Sequence, residues 1–254
     1  MKRNKLILLV VFLIFIVSAK VYLDNKNSDS VKVAAGEDNG TAKPSIELSF
    51  TPLPITKLDP ITIESEWELI ESKTVHNISG VEQILVSIFK VNEWENILIL
   101  QDKHGFYDLA MSFEGGLERV TVKAVDMTDN GAEELFISTV QGATVTDSKI
   151  FSYDGEAWLC LLASENLINV DLDGDGKTEL AATSMGSVPG FVSIYRYNDT
   201  TFESSDLVAA TDSVHVAIIT DNNRKLIETF DGEATYYYQV EFLAEGIFLV
   251  PIDL

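Results

Sequence analysis

The 254-residue chain has one cysteine, Cys160, which excludes an intramolecular disulfide framework and any zinc site built on several thiolates. Basic residues are scarce too, with 18 Lys+Arg against 40 Asp+Glu and a formal net charge of -22. A surface that acidic repels phosphate instead of releasing its counterions, so nucleic acid is excluded as a partner. The three histidines, His76, His104 and His215, stand isolated, and no H-E-x-x-H, G-x-S-x-G, P-loop or G-x-G-x-x-G motif occurs. No catalytic constellation is therefore legible, and a non-enzymatic role is expected. Beyond residue 45 almost nothing keeps a helical period for ten residues. Apolar residues are plentiful, at 46%, which excludes a disordered polyanion and permits a real core.

Lys2, Arg3 and Lys5 precede an uncharged apolar run from Leu6 to Ala19. That order fits a secretory signal cleaved after Ala19, or an uncleaved anchor with its basic end held in the cytoplasm. Either reading engages the membrane or the export machinery and places the rest of the chain outside. Residues 20–45 are polar and rich in Gly, Ser and Asn, and read as a disordered linker of about 25 to 30 Å reach. Residues 46–254 form the remaining domain.

That domain consists of short runs rich in Val, Ile, Leu, Phe, Tyr and Thr, such as Gln83 to Val91, Leu135 to Val140 and Phe191 to Tyr197. Such runs read as strands, and several pair as hairpins through turns at Asn92-Glu93, Asp154-Gly155 and Asn198-Asp199. Trp94, Trp158 and Phe202 follow these turns at comparable places and are expected to pack between units, with a carbohydrate-stacking platform as the alternative. Cys160, inside the apolar run WLCLL, reads as a buried small hydrophobe. The pattern also repeats. VDMTDNGAEELFIST from Val125 aligns with VDLDGDGKTELAATS from Val170, 45 residues on, and TDNNRKLIETF continues the step with its acidic loop decayed. Upstream, Gly105, Asp108 and Leu109 carry half of the pattern.

DLDGDGKTEL with its flanking strands resembles the FG-GAP/VCBS repeat of integrin-type propellers and of many exported bacterial proteins. The resemblance covers roughly Gln83 to Leu254. It implies an all-β, β-propeller-like array of about four to five blades that is small, open or completed by N-terminal strands.

Asp171, Asp173 and Asp175 sit at alternate positions, and Glu179 follows at the ninth place of the loop. With the carbonyl of Lys177 these oxygens can surround Ca2+, and Gly174 and Gly176 permit the turn. The place of an EF-hand's final acid is Ala182, so the loop is not an EF-hand. A water-facing acidic turn is the alternative. The copy offers Asp126, Thr128, Asn130, the carbonyl of Ala132, and Glu134, with fewer charges. Asp102, His104 and Asp108 read as a plain turn. Together these features set the expectation of an exported, calcium-stabilised propeller module that binds a protein or glycan at the cell surface. A propeller-fold glycan hydrolase and a structural envelope protein are the alternatives.

Overall fold

The computed structural model describes residues 43–142, 145–184 and 189–253. The leader or anchor expected at 1–19, and nearly all of the linker, lie outside the described residues. No helix among those described is long and apolar enough to cross a membrane.

The chain is all-β. Four two-residue strands come first: β1 (Ile46–Glu47), β2 (Thr51–Pro52), β3 (Thr56–Lys57) and β4 (Pro60–Ile61). A first meander follows with β5 (Glu68–Ile78), β6 (Val81–Asn92), β7 (Glu95–Gln101) and β8 (Phe106–Phe113). The second contains β9 (Val120–Val125), β10 (Glu134–Gln141), β11 (Val145–Tyr153) and β12 (Trp158–Glu165). The third contains β13 (Leu167–Val170), β14 (Glu179–Thr183), β15 (Val192–Tyr197) and β16 (Phe202–Asp206), and ends on a short helix α1 (Leu207–Thr211). The fourth contains β17 (His215–Asp221), β18 (Arg224–Phe230), β19 (Thr235–Leu243) and β20 (Gly246–Ile252). All pairings are antiparallel, and each meander gains a fifth strand from the N-terminal segment: β4 on β8, β3 on β12, β2 on β16 and β1 on β20.

Burial follows the strand period. Along β8, Tyr107, Leu109, Met111 and Phe113 point inward at every second place, while β6 is buried on both faces from Val86 to Phe89. Like charges also meet across one pair, since Asp147 lies opposite Glu165 between β11 and β12. Burial first, then the Glu165 charge, holds the Asp147 carboxyl above its ordinary value against the pull of Lys149. A raised carboxyl makes its contribution fully below the unfolded pKa and loses it as pH rises through the folded one. Asp147→Asn is therefore expected to raise the unfolding midpoint at pH 7. The gain should vanish as pH falls through the unfolded value of about 3.9; a variant no more stable than the parent at neutral pH would contradict this.

The N-terminal segment is a strap with a period of five. Leu48, Leu53 and Leu58 donate their N–H groups to the carbonyls of Ile247, Phe202 and Trp158, each at 2.8 Å. Their side chains enter three different core clusters: Leu58 between the first and second sheets, Leu53 between the second and third, and Leu48 between the third and fourth. Pro52 and Pro60 lie in the strap strands and lack an N–H, which blunts the outer edges against further pairing.

The expected propeller-like array does not form. The same three clusters join successive sheets, and among the described residues none joins the fourth sheet to the first. Each sheet remains open, with two free edges. The N-terminal strands are present, but each extends a different sheet outward instead of bridging the last to the first, so they complete no ring. A repeat period reports the size of a unit and carries no information on the angle between neighbours. The function readings that needed a ring, a propeller binding module and a propeller-bodied hydrolase, fall with it.

Three further local expectations are corrected. The β6–β7 turn centres on Glu93-Trp94, because Asn92 pairs with Glu95 and its Oδ1 accepts from the Trp94 N–H at 2.9 Å. Trp94 is consequently 74% exposed at a hairpin tip, whereas Trp158 and Phe202 are buried as expected. Gly105, Asp108 and Leu109 belong to the hairpin between third and fourth strands, not to a copy of the acidic loop between first and second.

Candidate metal centre

The acidic loop joins β13 to β14 and is folded by its own carboxylates. Asp171 accepts from the Gly174 N–H at 2.7 Å through Oδ1 and from the Gly176 N–H at 3.1 Å through Oδ2. Asp173 accepts from Asp175 N–H at 3.1 Å, and Asp175 from Lys177 N–H at 2.7 Å. Glu179, the first residue of β14, reaches back to the Leu172 N–H at 2.7 Å. Gly174 and Gly176 have φ of 82° and 89°, a region that a side chain would strain. Leu172, which sequence reading did not single out, is 1% exposed and plugs the loop into the core between the third and fourth sheets. The available signal was its counterpart Met127, apolar at the same place in the copy.

Asp171, Asp173 and Glu179 each offer an oxygen, and these lie within 4.8 Å of one another. Oxygens bound to one ion at calcium distances are separated by at most about 4.6 to 5.2 Å, twice the bond length, so one divalent cation could be held by all three. The three residues are half-buried, and no Lys or Arg among the described residues forms an ion pair with them. Burial holds the Glu179 carboxyl above the usual range, and the charges of Asp173, Asp171 and Asp175 add to this, while the Leu172 N–H opposes it. Asp175 and Lys177 face solvent at the loop tip, outside the group of three.

The copy between β9 and β10 keeps the two positive-φ positions. Asp129 takes the place of Gly174 with φ of 56°, and Gly131 that of Gly176 with φ of 83°. Asp126 accepts from Thr128, Asn130 and Gly131 N–H groups, Asn130 from Ala132 N–H, and Glu134 from Met127 N–H. The difference lies at Thr128, which stands where the first loop has Asp173. Its hydroxyl donates to Glu134 Oε1 at 3.2 Å, so a buried carboxylate is partnered by an O–H instead of facing a second anion. Its candidate ligands are thus gathered in one loop, but they do not bring three carboxylates together. The carboxyl of Glu134 is raised by burial first, with Thr128 and Met127 holding it down.

The plain-turn reading of Asp102 agrees with its bonds: Oδ1 accepts from His104 and Gly105 N–H groups, and Oδ2 from Trp158 Nε1 at 3.0 Å. Asp154, Asn198 and Asp231 form the same turn by accepting from the N–H groups two and three residues on. Cys160 is half-buried and burial pushes its thiol up, so it stays protonated at neutral pH. Compared with protein-family models, curated proteins and solved structures, the chain finds no match in any of the three.

Proposed function

We propose that residues 171–179 bind Ca2+, and that the ion fastens the β13–β14 hairpin to the core of an exported, non-catalytic all-β protein. The observation that carries this is the convergence of Asp171, Asp173 and Glu179 within 4.8 Å with no cationic side chain among them. A set made only of oxygens suits a hard cation, and calcium tolerates its irregular geometry better than magnesium does. The carbonyl of Lys177 and water would fill out the shell, and Asp175, exposed at the loop tip, would join it only by turning inward. Export is supported by the basic and apolar N-terminal sequence, and it would place the loop where calcium is abundant. The non-catalytic reading is supported by isolated histidines and a protonated Cys160.

Thermal unfolding of the full chain in calcium, in magnesium and in chelator tests the proposal. At a calcium concentration a hundredfold above the dissociation constant, the ion is expected to add about 2.7 kcal/mol. Asp173→Ala should abolish that increment, and Asn130→Ala in the copy should leave it intact. A midpoint unmoved by chelator sinks the ion altogether; an equal shift in magnesium sinks the assignment to calcium.

A further inference from the structure

Two grooves lie beside Trp94 and away from the acidic loop. One groove, about 450 Å³, is lined by Trp94, Glu95, Ser112, Glu114, Arg119 and Gln141. The other, about 350 Å³, lies against Trp94 together with Ile70, Lys90, Glu93 and Asn96. Both volumes fall within the range of about 300 to 1,000 Å³ common to ligand sites. Trp94 is 74% exposed, which is unusual for the largest aromatic residue a chain carries. The backbone that carries it is nonetheless held. Asn92 accepts from the Trp94 N–H at 2.9 Å and donates to Glu95 Oε2 at 2.9 Å, which holds the two-residue turn. The polar groups of the lining are also tethered: Gln141 Nε2 donates to Ser112 O at 3.1 Å, Arg119 Nη2 to Gly142 O at 2.9 Å, and Asn96 Nδ2 to Gly115 O at 2.8 Å.

We propose that this hairpin tip and its two grooves bind a neutral oligosaccharide. A sugar ring has an apolar C–H face and a rim of hydroxyls that both donate and accept. The exposed indole supplies the platform for the first. Glu95 and Glu114 accept from the rim, while Arg119 and Gln141 donate to it. An apolar partner would cover these same groups without bonding them, at the cost of desolvation. Anionic ligands, whether uronate chains or phosphate backbones, meet Glu93, Glu95 and Glu114 against only Lys90 and Arg119, on a chain of net charge -22. Because both grooves are lined by Trp94, Glu95 and Glu114, a linear chain that occupies both can stack a ring on the indole. The site belongs to the first two sheets and does not use the calcium loop.

The test is calorimetric titration of the full chain with maltohexaose, cellohexaose, mannohexaose and chitohexaose, in calcium and again in chelator. Polygalacturonate and oligolysine serve as charged controls. At least one neutral hexasaccharide is expected to bind and to quench tryptophan emission, equally with and without calcium. Trp94→Ala should weaken that binding by about tenfold or more and leave the unfolding midpoint unchanged, because the side chain is exposed. Trp94→Phe should retain most of the affinity, and Gln141→Ala should lose part of it. Absence of binding by all four neutral chains would overturn the proposal. So would Trp94→Ala binding as well as the parent, binding by oligolysine alone, or self-association of the chain through Trp94 that the sugars fail to compete.

Discussion

Trp158→Ala is expected to destabilise the protein by about 3 to 5 kcal/mol, a large share of a typical domain stability of about 5 to 15 kcal/mol. The side chain is fully buried and stands at the junction of three elements. Its Nε1 donates to Asp102 in the first sheet at 3.0 Å, its ring lies 5.4 Å from that of Tyr153, and its carbonyl accepts from Leu58 of the strap at 2.8 Å. Truncation leaves a cavity between the first two sheets and deprives the Asp102 turn of a donor. Trp158→Phe keeps most of the volume but removes the N–H and part of the bicyclic ring, so an intermediate loss is expected. Urea unfolding followed by circular dichroism reads both. A loss below about 1 kcal/mol for the alanine variant would mean that the sheets can slide together over the vacated space.

Leu48→Ala and Leu58→Ala are each expected to cost about 2 to 4 kcal/mol, and the double variant about the sum of the two. The strap strands are only two residues long, too short to hold by ladder bonds alone, so its attachment rests on the leucines inserted at the sheet junctions. Leu48 and Leu58 sit in separate clusters and share no packing partner there, which is why their effects should add. Leu53→Ala should cost less, because Leu53 is only half-buried. If both buried leucines could be truncated with little change in the urea midpoint, the strap would be a passive edge covering.

The legible part of the fold was the part written in local pattern. The runs around Ile97 to Leu100 and Leu135 to Ile137 became strands because β-branched and large apolar residues at short intervals, cut by Asp, Asn and Gly, favour extended backbone and tight turns. The 45-residue step matched the two acidic loops to each other, and the structure places both between the first and second strands of successive sheets. The strap was not legible: its pieces have no strand-length run, and its period of five makes sense only when four separate sheets offer an edge to it. Trp94 was misplaced for a related reason. An aromatic beside a turn can lie inward or outward, and a one-residue difference in where the turn is centred decides which.

The acidic site divides along the same line. Alternating aspartates followed by an acid at the ninth place identified Asp171, Asp173 and Glu179 as oxygen donors from the sequence, because loop spacing is a local property. Asp175, equally prominent in sequence, points to solvent, and in the copy Thr128 partners Glu134 directly. By itself, then, the sequence determined that the chain is all-β, strongly acidic and built from repeated four-stranded units, one of them with an oxygen-rich loop. Only the tertiary structure decided that the sheets stay open, that the N-terminal segment laces all four, and that one exposed tryptophan lines two grooves. These depend on angles and contacts between units distant in the chain, and such contacts leave no period in the sequence.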